Sequence, residues 1–262
     1  KTGVYEEDTA FSQRHRIDFD RAERVRKLIE QYLRERLGLS DVEFSELIEA
    51  WVLKRDQQWK GRGISFENVW EGTPLAFWDD GAMAAARAWF LFVLSGHENV
   101  SVLNGGMNAW LALDLPTGSV IAEPEFSHYP VHFRMQRLIA EAELKIRIRD
   151  PDALLLDARA PERFRGELEP LDRKAGHIPG AVNRSYAQNL ENGLFKSPDT
   201  LRAEFEALAD SRKAMLLSCG SGVTACHNAL ALSHAGLDHW RLFAPSWSGW
   251  IAEDSNPVAI GD

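Results

Sequence analysis

The segment Met215-Leu-Leu-Ser-Cys219-Gly-Ser-Gly-Val-Thr-Ala225 begins with a short apolar run and ends in a loop of small residues. The apolar run is typical of a buried strand, and residues 225–234 predict the helix that follows it. Two glycines between strand and helix allow the loop to curl, so that successive backbone amides point inward at the helix N-terminus. The segment therefore predicts a strand–loop–helix unit with Cys219 at the mouth of an anion-binding loop.

An internal repeat extends this pattern to the first half of the chain. Residues 77–85 align with residues 217–225, which places Asp79 opposite Cys219 at an offset of 140 positions. The same register aligns further identical residues, among them Gly96 with Gly236, Trp110 with Trp250 and Asp114 with Asp254. Each copy predicts a strand, a loop, a helix, a second strand and a Trp-bearing segment, which favours an α/β fold built from βαβ units with parallel sheets.

The repeat does not extend to the N-terminal part of the chain. Amphipathic patterns and the capping box Ser40-Asp-Val-Glu43 predict helices there instead. We therefore expect a first domain over residues 1–120 that begins with a divergent helical region over residues 1–75. Pro, Gly, Ser and Glu accumulate near residues 116–130 and predict a linker, and the second domain is expected to cover residues 130–262.

Composition argues against several classes of protein. The net charge of −9 disfavours nucleic acid or an anionic membrane surface as a partner. No apolar run reaches the ~18 residues of a membrane span, and the first residues lack the apolar core of a signal peptide. Cys219 and Cys226 lie two helical turns apart, which is too far for a disulfide, and no matching His spacing suggests zinc. We expect a cytoplasmic protein with no metal and no organic cofactor.

Cys219 is the candidate nucleophile. Anion-binding backbone amides are expected from the loop residues Gly220, Gly222, Val223 and Thr224. These amides would favour the thiolate form of the cysteine and would stabilise a persulfide anion. A Cys-dependent phosphatase would need an Arg six residues after the Cys, where this chain has Ala225, so sulfur or acyl chemistry is favoured. The alternative is a small buried Cys at a strand end.

These motifs together resemble the rhodanese superfamily. Residues 219–225 are similar to the active-site loop of its 3-mercaptopyruvate sulfurtransferase branch. Supporting motifs in the second half are Leu156-Asp-Ala-Arg159, Arg163-Phe-Arg165-Gly, Gly176-His-Ile-Pro-Gly-Ala-Val-Asn183 and Ser246-Trp-Ser-Gly-Trp250. In the first half, Trp78-Asp-Asp-Gly and Gly105-Gly-Met-Asn-Ala-Trp110 resemble the inactive N-terminal domain. The resemblance implies two tandem rhodanese-like domains, each a parallel sheet flanked by helices, with the nucleophile only in the second.

The resemblance also implies residues that bind the substrate. Arg163 matches the family Arg that faces the cleft and would bind the donor's carboxylate or sulfonate bidentately. Arg173 lies near a second carboxylate-binding Arg of the mercaptopyruvate branch. Ser221 matches the loop Ser of a Ser-His-Asp relay whose His and Asp would come from the first domain, where this chain has no matching His-Ile-Pro-Gly motif. Asp157 is expected to be a hydrogen-bonded core carboxylate, and Trp247 and Trp250 are expected in the core.

The implied reaction moves sulfane sulfur from a small anionic donor to a thiol acceptor, including a thioredoxin-like protein, or to cyanide. The sulfur would be carried as a Cys219 persulfide. Uncharged Gly220 and Ser221 favour 3-mercaptopyruvate as donor, because thiosulfate-specific rhodaneses place basic residues after the Cys. Two alternatives remain open: a thiosulfate sulfurtransferase, and a low-activity binding or regulatory protein with the same fold, which the missing relay motif favours.

Overall fold

The computed structural model describes residues 75–79, 82–97, 99–114, 132–212 and 214–262. The predicted N-terminal helices and the predicted linker fall outside these residues, so both stay predictions, as do the domain boundaries. Within the described ranges, no helix combines the length and the apolar character that a membrane span requires.

The described part of the first half forms a βαβ unit followed by a short helix. Its elements are β1 (Leu75–Phe77), α1 (Met83–Leu94), β2 (Val100–Val102) and α2 (Gly106–Ala112). β1 and β2 pair in parallel. The unit thus has the order of elements that the repeat predicts.

The second half is built on a four-stranded parallel sheet. Its elements in chain order are α3 (Glu141–Arg147), β3 (Ala153–Asp157), α4 (Pro161–Phe164), β4 (Ala181–Asn183), β5 (Leu190–Glu191), β6 (Leu194–Phe195), α5 (Pro198–Ala209), β7 (Ala214–Ser218), α6 (Thr224–His234), β8 (Trp240–Leu242) and α7 (Ser246–Trp250). The sheet has the strand order β4-β3-β7-β8, and all of its neighbouring strands are parallel. β5 and β6 form a separate antiparallel pair.

The register of the strands confirms the internal repeat. In the first half Leu75 lies opposite Val100, and in the second half Met215 lies opposite Trp240. Both members of the second pair are displaced from the first by the 140 positions found in the sequence. The two copies also contact each other, because α1 packs against α6 and the Trp89 and Trp240 rings lie 6.2 Å apart.

The sheet buries side chains on both of its faces, as expected for a parallel sheet covered by helices. Leu154 and Leu156 of β3 belong to the core cluster that includes α1 and α6, whereas Leu155 between them belongs to a second cluster. That second cluster contains Trp247 and Trp250, both fully buried, so the prediction that they are core residues is confirmed.

Two neighbouring strand ends bring the candidate site together. Asp157, the last residue of β3, lies opposite Ser218, the last residue of β7, and the amide of Ala158 donates to the Ser218 carbonyl at 2.9 Å. The loops that follow both strands therefore emerge at the same edge of the sheet. The carboxyl edge of a parallel sheet is where ligands bind in open α/β folds.

Candidate active site

Cys219 is held from its backbone by the first residues of α7. Its amide donates to Ser246 Oγ at 3.0 Å, and its carbonyl accepts from the Trp247 amide at 2.9 Å. Ser246 Oγ in turn donates to the Phe243 carbonyl at 2.9 Å. The cysteine is only 2% exposed. These bonds fix the position of Cys219 from the side of α7, and the sequence motif that contains Ser246 did not reveal this role.

The loop after Cys219 connects β7 to α6 as predicted. Gly222 has a φ of 75°, the left-handed conformation that glycine adopts without strain, and α6 begins at Thr224. The Gly222 carbonyl accepts from Cys226 Sγ at 3.0 Å, and the Gly220 carbonyl accepts from the Ser248 amide at 2.9 Å. These two carbonyl oxygens, which would repel an anion, are thus engaged by neighbouring groups. Both cysteines are free thiols.

The first copy of the repeat contains an anion at the position of Cys219. Asp79 Oδ2 accepts from the amides of Ala84 at 2.6 Å and Ala85 at 3.3 Å, in the first turn of α1. These residues correspond to Thr224 and Ala225 in the second copy. A carboxylate is favoured there because the N-terminal amides and the helix dipole stabilise negative charge. A thiolate or a persulfide at Cys219 would be favoured by amides at the start of α6 for the same reason.

Replacing Asp79 with alanine is expected to lower the free energy of unfolding by about 1 kcal/mol, because the first amides of α1 lose their acceptor. Asp79→Asn keeps an acceptor oxygen and should lose less. Urea denaturation followed by circular dichroism measures both, with Glu206→Ala on the exposed side of α5 as a control. A stability of Asp79→Ala equal to that of Glu206→Ala would exclude this capping role.

Asp157 and Arg159 form a buried ion pair beside the loop. The Asp157 carboxylate accepts from Arg159 Nη2 at 2.7 Å and from Arg159 Nε at 3.1 Å. The guanidinium also donates to the Gly176 carbonyl at 2.8 Å and lies over the Trp247 ring, 5.0 Å from its centroid. The prediction that Asp157 is a hydrogen-bonded core carboxylate is therefore confirmed.

Arg163, from the short helix α4, faces the Cys219 loop. Its Nη1 and Nη2 atoms lie 3.5 Å from the point that a Cβ atom on Gly220 would occupy. Its Nε and Nη2 atoms donate to Glu169 Oε1 at 3.1 and 2.6 Å. Nη2 also lies 3.2 Å from Asp172 Oδ2. The Nε–Nη2 edge of the guanidinium, one of the edges that could bind a donor bidentately, is thus engaged by Glu169.

The contact of Glu169 with Arg163 was not predicted from the sequence, although Glu169 lies only six residues after Arg163 in an acidic loop. Burial by itself would raise the pKa of its carboxyl group. The hydrogen bonds from Arg163 and from the amides of Leu171 and Asp172 outweigh burial and leave the pKa below its usual value. Glu169 is therefore ionised at neutral pH and holds Arg163 as a charged partner.

Ser248 connects the Cys219 loop to this acidic cluster. Its Oγ lies 2.6 Å from Asp172 Oδ1 and 2.8 Å from the Gly220 carbonyl. Because Asp172 also contacts Arg163, a continuous chain of polar contacts runs from Gly220 to the guanidinium. Ser248 was part of a quoted motif, but its spacing from Trp247 and Trp250 gave no sign of this contact.

The two other candidates from the sequence are in different surroundings. Arg173 donates to the carbonyls of Ile251 and, at 3.2 Å, Ala252, and forms an ion pair with Asp254 at 3.0 Å. Its side chain is 51% exposed. Ser221 is half-buried in the loop between Gly220 and Gly222. Their roles in binding or catalysis stay predictions.

Comparison with sequence families gives two matches to the same family. The model for the rhodanese-like domain matches residues 13–113 and 140–253. The first match begins at residue 13, well before the first-half motifs. It therefore includes N-terminal residues in which no family motif was found.

Curated relatives include sulfurtransferases with both kinds of donor in their names. A probable 3-mercaptopyruvate sulfurtransferase of Pseudomonas aeruginosa is 42% identical over 224 residues, which cover 82% of this chain and 72% of that protein. The human 3-mercaptopyruvate sulfurtransferase is 38% identical, with 66% of this chain and 59% of the relative covered. The bovine thiosulfate sulfurtransferase is 36% identical, with 66% and 60% covered. The matched part thus spans less than two thirds of the human and bovine relatives.

A solved structure supports the fold. The anaerobic ergothioneine biosynthesis enzyme from Chlorobium limicola, in complex with trimethyl histidine, superimposes with a TM-score of 0.65 at 18% identity. The superposition covers 75% of this chain and 53% of that one. At this level of identity the likeness concerns the fold alone.

Proposed function

The chain belongs to the rhodanese-like domain family, and from this premise we propose that it is a sulfurtransferase in which Cys219 carries sulfur as a persulfide. One observation carries the proposal: Cys219 begins the loop at the carboxyl edge of the sheet, and Arg163 faces the same loop at Gly220. A nucleophile and a cation at the same edge suit an anionic sulfur donor. The Asp79 carboxylate, which accepts from helix amides at the equivalent position of the first copy, supports an anion at the position of Cys219.

The proposed reaction has two steps. The Cys219 thiolate attacks the sulfur of 3-mercaptopyruvate, and the carbon–sulfur bond breaks with its electron pair leaving on the enolate of pyruvate, which then takes up a proton. A thiolate acceptor, such as a thioredoxin-like protein, then attacks the outer sulfur of the Cys219 persulfide. The sulfur–sulfur bond breaks, the acceptor becomes a persulfide, and the Cys219 thiolate is regenerated. With cyanide as acceptor the product is thiocyanate.

The proposed donor is 3-mercaptopyruvate. The uncharged residues Gly220 and Ser221 support it, as does the name of the Pseudomonas aeruginosa relative. Thiosulfate is the second candidate, because the bovine relative is named for that donor. In this proposal Arg163 binds the donor's anionic group, with Arg173 as a second candidate, and Ser221 assists from the loop. A reducing compartment such as the cytoplasm suits a reaction that needs a free thiol at Cys219.

Intact mass spectrometry tests the proposal directly. Purified protein is incubated with 3-mercaptopyruvate or with thiosulfate, the donor is removed, and the mass is measured under non-reducing conditions. We expect an increase of one sulfur atom, reversed by a reducing thiol or by cyanide. A folded protein that gains no sulfur from either donor would contradict the proposal and favour a binding or regulatory protein.

Replacing Arg163 with alanine is expected to lower kcat/KM for the donor by about 10- to 100-fold, because a charge-assisted hydrogen bond to the donor is lost. Arg165→Ala is the matched control, since Arg165 pairs with the exposed Glu167 two residues away. Steady-state transfer to cyanide measures both variants. Equal kinetics in the two variants would remove Arg163 from the donor site.

A further inference from the structure

The contacts of Arg163 leave only one of its nitrogen atoms for a donor. A guanidinium carries five N–H groups, one on Nε and two on each terminal nitrogen. Glu169 accepts from Nε and Nη2, and Asp172 accepts from Nη2, so these carboxylates engage three of the five. Within the described part of the chain, Nη1 has no hydrogen bond of its own. Its two N–H groups remain, on a nitrogen that lies close to Gly220.

Both carboxylates are held in place independently of Arg163. Glu169 is 4% exposed and accepts from the amides of Leu171 at 3.1 Å and Asp172 at 3.2 Å. Asp172 is 12% exposed and is joined through Ser248 to the Gly220 carbonyl. The two carboxylates that bind Arg163 are therefore attached both to the backbone of the loop that contains them and, through Ser248, to the loop of Cys219.

The cluster beside the donor site carries excess negative charge. It contains the guanidinium groups of Arg159 and Arg163 and the carboxylates of Asp157, Glu169 and Asp172, all joined by hydrogen bonds or ion pairs. Two cations and three anions leave one negative charge in a largely buried position. Such a charge acts more strongly on a nearby ion than an exposed one does, because less water screens it.

We propose that Glu169 and Asp172 are positioning and specificity residues, which rests on the sulfurtransferase function proposed above. They hold Arg163 so that its Nη1 amino group alone faces the donor, and they cancel its positive charge. A monoanionic donor such as 3-mercaptopyruvate brings one negative charge toward this cluster. Thiosulfate, a dianion, is disfavoured, because its second charge faces a cluster that is already negative. The two residues thus select donors by charge, in addition to the uncharged Gly220 and Ser221.

Neutral variants of the two carboxylates test this proposal. The ratio of kcat/KM for thiosulfate to kcat/KM for 3-mercaptopyruvate is measured for the wild type, Glu169→Gln and Asp172→Asn. We expect the ratio to rise about five- to tenfold in each variant, because one negative charge near the donor is removed. The rise should become smaller at high salt, since screening weakens the same interaction. Glu206→Gln removes an equal charge from the distant helix α5 and should leave the ratio unchanged.

The two variants also separate positioning from charge. Asp172→Asn keeps the Glu169 hydrogen bonds to Arg163 and removes one negative charge, so KM should fall for both donors, and further for thiosulfate than for 3-mercaptopyruvate. Glu169→Gln weakens the hydrogen bonds that hold Arg163 Nε and Nη2, so KM should rise for both donors while kcat changes less. Asp172 is the more exposed of the two, so Asp172→Asn decides the outcome if Glu169→Gln does not fold.

A ratio in Asp172→Asn that stays within twofold of the Glu206→Gln control would overturn the proposal. That result leaves the sulfurtransferase function untouched, because the Cys219 persulfide would still form. The absence of a persulfide in the wild-type protein with both donors is the separate result that contradicts the function itself.

Discussion

Replacing Cys219 with serine is expected to abolish sulfur transfer, with a loss of at least about a thousandfold in turnover and no sulfur adduct by intact mass. A serine hydroxyl stays protonated at neutral pH and cannot form a persulfide. The fold should be retained, because the backbone bonds of Cys219 to Ser246 and Trp247 do not involve its side chain. Circular dichroism and thermal denaturation check this retention.

Cys226→Ser is the matched control for this experiment. Cys226 is the other free thiol of the chain, fully buried in α6, and its Sγ donates to the Gly222 carbonyl. A serine hydroxyl can make the same hydrogen bond, so turnover should remain within about twofold of the wild type. An adduct that persists in Cys219→Ser and disappears in Cys226→Ser would move the nucleophile to Cys226 and refute the proposed mechanism.

Replacing Asp157 with alanine is expected to lower the free energy of unfolding by about 3 kcal/mol. Arg159 is 2% exposed, and without Asp157 its buried charge loses its principal partner. The loss should lie at the low end for a broken buried pair, because Glu169 at 3.4 Å and the Gly176 carbonyl at 2.8 Å remain. Urea denaturation measures the change.

Two other variants define this prediction further. Asp157→Asn retains an acceptor for Arg159 and should destabilise the protein less than alanine does. Asp152→Ala, at an exposed position just before β3, removes an equal charge and should change stability by no more than about 0.5 kcal/mol. If Asp157→Ala and Asp152→Ala unfold at the same urea concentration with the same slope, the buried pair contributes nothing and the prediction is wrong.

The arrangement of secondary structure was predictable because it depends on local patterns. A short apolar run before a small-residue loop indicated β7, and the 140-residue offset indicated β1, α1 and β2 as a second copy. Parallel strands have their carboxyl ends at one edge of the sheet, so the position of Cys219 followed from the order of the elements. Trp247 and Trp250 were expected in the core from their spacing, and both are buried.

The environment of Arg163 could not be predicted in this way. The sequence suggested a guanidinium that binds the donor bidentately, whereas in the structure its Nε and Nη2 atoms donate to Glu169 and Asp172. A motif gives the identity of the Arg but not its hydrogen-bond partners. Arg173 is a similar case, because its contacts with Ile251 and Asp254 join residues that lie far apart in the chain.

The sequence by itself determined that this chain has repeated βαβ units, a rhodanese-like fold and a single candidate nucleophile at Cys219. The repeated units and the candidate nucleophile depend on periodicity, turn residues and spacing, which neighbouring residues specify, whereas the rhodanese-like fold was implied by the resemblance of the motifs. Only the tertiary structure decided which N–H groups of Arg163 face the Cys219 loop and how that loop is attached to the acidic cluster. Asp172 and Ser248 are 76 positions apart, yet their oxygens lie 2.6 Å from each other. Contacts of this kind depend on how distant segments pack, and no local pattern encodes the result.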